Sequence, residues 1–161
     1  PADDKGRGTR ILLRTIGRKV QMMRILIDSD VILDYVLRRE KFDDAQKLFE
    51  ALAKMEFVGY VSAIALLNIH YFAAKEGDAA FAKGEVIKLL SLFSVCTIDE
   101  GCFHSALTLG FDDYEDAVQC ASAIAEELDA IVTRNMKDFH NSPIKVYTPL
   151  EFLGVLESNV D

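Results

Sequence analysis

Five short apolar runs alternate with stretches of helical periodicity, and that alternation constrains the fold more than any other feature. The runs are 24–28 (RILID), 57–61 (FVGYV), 94–99 (SVCTID), 130–135 (AIVTRN) and 144–148 (IKVYT). Helical spacing covers 29–40, 43–55, 62–72, 78–93 and 112–129, with a shorter helix over 100–110 and a last one entered through Pro149. Ser62 is the expected N-cap of the helix over 62–72. Parallel strands need crossover connections, so strands and helices in alternation predict a parallel sheet covered on both faces. Ligands of such sheets sit beyond the strands' carboxyl ends.

A chain of 161 residues, half of them hydrophobic, can bury one substantial core. The net charge of −8 is unevenly spread: six basic residues against Asp3 and Asp4 leave +4 on residues 1–22 and −12 on the remainder. Because a strand starts just after Met23, residues 1–22 are read as a basic extension outside the fold, flexible or not native to it. Residues 23–157 are read as the single domain and 158–161 as a tail. The acidic remainder argues against a broad nucleic-acid grip by counterion release, but leaves room for a small metal-bridged phosphate site and suits a basic partner. Cys96, Cys102 and Cys120 are odd in number and lack C-x-x-C spacing, which indicates neither a disulfide framework nor a zinc site and fits a reducing cytoplasm. No window has the length of apolar sequence a membrane span needs, so a soluble protein without membrane attachment is expected.

The acids fall where the strands end. Asp28 closes the first run, with Asp30 two residues on; Asp112, Asp113, Glu115 and Asp116 open the strongest helix; Asn135 and Asp138 follow Thr133 at the end of the fourth run. Carboxylates gathered in one pocket repel each other unless a cation is present, which makes such a cluster a candidate hard-cation site for Mg²⁺ or Mn²⁺. Taken singly, most have structural readings. Asp28, directly after ILI, favours function over a turn or cap role. Asp30 reads as a cap of the first helix, Asp34 as solvated or paired with Arg38, and Asp112 with Glu115 as a capping box, while Asp116 is evenly balanced. His70, His104 and His140 lack zinc spacing. The helix over 62–72 (SAIALLNIHYF) reads as buried, with the Asn68 amide needing a partner there.

The ordered set ILIDSDVILD, VSAIALLN, DDYEDAVQCASA and IVTRNMKDF, closed by VYTPLEFL, resembles the PIN-domain family over about residues 24–156. The resemblance implies a three-layer α/β/α sandwich with a mainly parallel sheet and metal-dependent cleavage of RNA, many relatives being the toxin half of VapBC-type toxin–antitoxin pairs. Motif by motif, Asp28 is like the first family acid, Asp116 like the acid opening the later helix, and Asn135 with Asp138 occupies the last polar block. Asp30, Asp113, Ser62 and Thr133 are auxiliary. The family's second acid is commonly a glutamate six residues after the small hydroxyl residue, here Ser62; this chain has Asn68, and at Asn135 it has a second neutral amide. The implied site therefore has Asp28, Asp116 and Asp138 as metal ligands, with Asn68 and Asn135 as polar companions, and its partners are an RNA substrate, a basic antitoxin and a second copy of the chain.

Three rival readings are weighed on sequence, of which the last fails on context. A degenerate PIN domain would bind without cutting, as the neutral Asn68 allows. A haloacid-dehalogenase-like phosphatase would use Asp28 as nucleophile and Asp30 as acid–base. A HEPN-type ribonuclease would use Arg134 and His140, but that motif belongs on a helix in an all-helical fold.

Overall fold

Arg24, Ile25, Leu26 and Ile27 form a strand buried along its whole length, as the apolar run 25–27 must be when both faces of a parallel sheet are covered. In this computed structural model, residues 12–15 and 18–160 are described, with side chains from Gln21 onward. The elements run β1 (Leu12–Thr15), β2 (Arg18–Gln21), β3 (Arg24–Ile27), α1 (Ser29–Val36), α2 (Phe42–Ala53), β4 (Val58–Ser62), α3 (Ala63–Glu76), α4 (Ala79–Leu92), β5 (Ser94–Cys96), α5 (Glu100–Ala106), α6 (Tyr114–Ala125), β6 (Ala130–Val132), β7 (Lys145–Tyr147) and α7 (Pro149–Ser158). Among the described residues, strands β1 and β2 pair antiparallel with each other and not with the main sheet, so part of the basic segment has strand structure of its own; its residues 1–11, 16 and 17 lie outside the described residues. Met22, placed in that extension on sequence, is buried.

The main sheet has five parallel strands in the order β5-β4-β3-β6-β7. Alternation along the strands divides the core. Ile25, Ile27, Val61, Ala130 and Val132 pack into a cluster with α1, α2, α3, α4 and α7, whereas Leu26, Tyr60 and Ile131 turn to the other face and meet Cys120 and Ala123 of α6. Helix α5 closes that second layer through Cys102 and Ala106 against Ala117, Val118 and Ala121. The result is a three-layer α/β/α sandwich. At Gly59 of β4 an added Cβ would stand 2.9 Å from both Leu52 and Phe93, so the close approach of α2 to the sheet requires the missing side chain.

From β3 the chain steps outward to β4 and β5, then returns to the other side of β3 for β6 and β7. The order therefore reverses between β3 and β6, and a crevice opens beyond their carboxyl ends. Register keeps those ends level, with Ile27 opposite Val132.

Helix α3 differs from the buried helix read in the sequence. Ala65, Ile69 and Ala73 make one tight packing face, but Leu67 is 72% exposed and Tyr71 59%. An apolar run carries no information on which of its sides has a neighbour, and α3 has one on fewer sides than its composition implies. Among the described residues no helix is long and apolar enough to cross a membrane.

Candidate active site

Side chains from four elements enter the crevice. Asp28 stands at the N-cap position of α1, yet its side chain caps nothing. Its N–H donates to the Val132 carbonyl at 2.9 Å, carrying the parallel ladder one residue past β3. Its Oδ2 accepts from Thr133 Oγ1 at 2.8 Å. Thr133 is fully buried, and the same Oγ1 accepts from the Asn135 N–H at 3.0 Å, so one hydroxyl orients both the carboxylate and the loop that follows β6. Asn135 Nδ2 in turn donates to Asp30 Oδ2 at 2.7 Å, and the Asp138 N–H donates to the Asn135 carbonyl at 3.0 Å.

Helix α6 aims its first turns at the same point. Asp113 is its N-cap, accepting from the Asp116 N–H at 3.1 Å, and Asp116 and Gln119, three residues apart, share a helix face. From α3, six residues beyond Ser62, Asn68 donates through Nδ2 to Glu115 Oε1 at 2.6 Å. Asp28, Asp30, Asn68, Asp113, Asp116, Asn135 and Asp138 all line one open cavity of about 280 Å³, together with Glu115, Gln119 and Phe72. Ser62 does not reach it. Its hydroxyl caps α3 through the Ala65 N–H at 3.0 Å and donates to Gln119 Oε1 at 3.2 Å, so it acts on the cavity only through Gln119.

The cavity is electrostatically loaded. Burial pushes the Asp28 carboxyl up to about 6, further raised by Asp30, against the lowering effect of Thr133, the Ser29 N–H and the Gln119 amide. Asp116 is pushed up to about 7, by burial first and then by the charges of Asp28, Asp113, Asp138 and Glu115. The acids are thus close enough in space to resist one another's ionisation.

Several structural readings made on sequence are corrected. The cap of α6 is Asp113 rather than Asp112, because the helix begins one residue later, and this leaves Glu115 free to face Asn68. Asp30 caps nothing and meets Asn135 instead. Asp34 is neither solvated nor paired with Arg38: it is 1% exposed and holds Arg134 Nη1 at 3.0 and 3.2 Å. Arg38 adopts φ of 50° in the turn ending α1, which carries its guanidinium over Phe42 and away from Asp34. Sequence reasoning missed Gln119, although its i+3 relation to Asp116 was the available signal. The histidines are all exposed.

The Arg134–Asp34 pair fastens the loop that carries Asn135 and Asp138 to α1. Replacing Arg134 by Ala leaves a buried carboxylate without its partner and is expected to cost about 1.5–3 kcal/mol. Urea denaturation checks this: an unchanged midpoint would contradict it.

Among the described residues, no three His, Cys, Asp or Glu side chains stand together as a ready-made metal cage. The donor set fits a hydrated cation instead. Mg²⁺ keeps several waters and is held through one or two carboxylates, Asp28 is the acid whose charge weighs most on Asp116, and the cavity has room for water. Asp138 and the oxygens of Asn68 and Asn135 are further hard donors on its wall.

The family profile of the PIN domain matches residues 24–137. The chain belongs to the PIN-domain family. That membership removes the dehalogenase-like reading of the Asp28–Asp30 pair, and the five-stranded sheet removes the all-helical one. Solved structures with the same fold include VapBC2 from Rickettsia felis, bound to a promoter DNA fragment, with TM-score 0.64 and 19% identity over 78% of this chain and 98% of that one. A toxin–antitoxin complex from Klebsiella pneumoniae has TM-score 0.61 and 24% identity over 78% and 97%. VapC20 from Mycobacterium tuberculosis, a toxin cleaving the sarcin–ricin loop, has TM-score 0.55 and 15% identity over 66% and 86%. No curated relative matches the chain.

Proposed function

We propose that this PIN-domain protein is a Mg²⁺- or Mn²⁺-dependent endoribonuclease that hydrolyses RNA phosphodiester bonds as the toxin of a toxin–antitoxin pair. The observation that carries the reading is the meeting of Asp28 and Asp116 in one cavity at the reversal of strand order, both carboxyls raised by burial and by neighbouring acids. Of the three acids Asp28, Asp116 and Asp138, the first two are the proposed direct cation ligands and Asp138 the one that reaches the cation through its waters. A cation bound there supplies positive charge for a phosphodiester that the acidic cavity alone would repel. The chain's own part is orientation: Thr133 holds Asp28, Asn135 holds Asp30, and Ser62 holds Gln119.

The toxin–antitoxin assignment draws on the similar fold of the Rickettsia and Klebsiella complexes, and the RNA substrate on the sarcin–ricin loop cleavage of VapC20. An excess of acidic residues outside the first 22 suits a basic antitoxin. Exposed Leu67, Tyr71, Ile87 and Leu90 on α3 and α4 supply apolar surface for a homodimer. Incubation of the purified protein with structured RNA is expected to give discrete cuts in Mn²⁺ or Mg²⁺ and none in EDTA. RNA that is bound but stays intact in both metals would select the second reading, a binding module, for which the neutral Asn68 speaks.

A further inference from the structure

We infer that Asn68 and Glu115 act as one unit, in which Asn68 is a positioning residue that holds the Glu115 carboxylate at the α3 wall of the cavity, a role that rests on the nuclease reading. Asn68 brings no charge of its own. It spends an amide N–H on Glu115 Oε1 at 2.6 Å, a charge-assisted bond joining α3 to the first turn of α6. Both side chains line the cavity that holds Asp28 and Asp116.

The contact leaves acceptor capacity to spare. A carboxylate offers about four lone-pair sites, so one bond through Oε1 leaves Oε2 and the remaining lone pairs for a cation or its waters. Glu115 is otherwise an exposed, three-torsion side chain at the start of a helix, where bulk water would satisfy it. A carboxylate there also complements the helix dipole, but that role needs no partner on α3. The bond to Asn68 is what selects the conformer facing the cavity rather than solvent. The charge missing at position 68 is in this way supplied from α6, across the cavity wall.

A merely structural tether and a placed charge make different demands. Glu115→Gln keeps an oxygen for the Asn68 N–H and so preserves the tether while removing the charge. Asn68→Ala keeps the charge but frees it. Mn²⁺ binding to the full chain, followed by the EPR signal of the free ion at neutral pH, separates the two, with RNA cleavage measured in parallel. Both variants are expected to bind Mn²⁺ about tenfold more weakly than the wild type, and the exchanged pair Asn68→Glu/Glu115→Gln to recover to within about threefold. Circular dichroism is expected to stay unchanged, since neither side chain is part of the core. Wild-type affinity in Glu115→Gln, with binding still abolished by Asp28→Asn, overturns this inference and leaves the nuclease reading standing. Mn²⁺ binding that Asp28→Asn does not reduce overturns the nuclease reading, and the role of Glu115 with it.

Discussion

Asp28→Asn is expected to abolish metal-dependent RNA cleavage, by about a hundredfold or more, while raising the protein's thermal midpoint at pH 7.5. The two effects have one cause. Asp28 is 4% exposed and burial pushes its carboxyl up to about 6, so at pH 7.5 it is ionised in a place that disfavours the charge. The amide keeps an oxygen to accept from Thr133 Oγ1 and offers an N–H₂ toward Ser29 Oγ, which lies 3.4 Å from the carboxylate in the wild type, but it gives up an acceptor for the Ser29 N–H or the Gln119 amide, which sets an upper limit on the gain. Removing the charge is worth up to about 3 kcal/mol of stability at that pH. A variant that loses activity and also loses several degrees of thermal stability would mean that the carboxylate is a structural group.

Stability of the metal-free protein is expected to fall as pH rises from about 4 to about 7, the reverse of the usual behaviour of paired carboxylates. In the unfolded chain Asp28 and Asp116 lose their protons near the ordinary value of 3.8; in the folded chain they hold them to about 6 and about 7. Between those limits the folded state binds more protons than the unfolded one, so rising pH favours unfolding, and the loss is complete only about one pH unit above the higher value, near pH 8. A cation needs the deprotonated carboxylates. Mn²⁺ at a hundred times its Kd is therefore expected to stabilise by about 2.7 kcal/mol at pH 7.5 and by much less at pH 5. Differential scanning fluorimetry at the two pH values, with and without Mn²⁺, measures all four states. Equal stabilisation at both would place the ion elsewhere than on these two acids.

The positions of these acids along the chain were readable because each follows or opens an element with its own local signal. Ile25, Leu26 and Ile27 are an unbroken apolar run, and DYEDAVQCASAIA carries the spacing of a helix packed on one side, so Asp28 and Asp116 could be assigned to a strand's end and a helix's first turn. Roles that depend on a distant partner were not readable. Asp34 looked like a surface residue four positions from Arg38, and its true partner, Arg134, is a hundred residues away. Glu115 looked like a cap until α6 was seen to begin at Tyr114 and to face Asn68 across 47 positions. Gln119 sat inside an apolar helix as an unremarked polar residue, and only the packing of α6 on β4 gave it Ser62 as donor.

The sequence alone determined the alternation of strands and helices, the parallel sheet that follows from it, and the places in the chain where polar residues leave the strands. Those properties depend on spacing over a few residues, which propensity and periodicity report. The order β5-β4-β3-β6-β7, the exposure of Leu67 and Tyr71, and the convergence of α1, α3, α6 and the loop after β6 on one cavity were decided by tertiary structure. They depend on which elements pack together across tens of residues, and an isolated stretch of sequence holds no record of its neighbours in space.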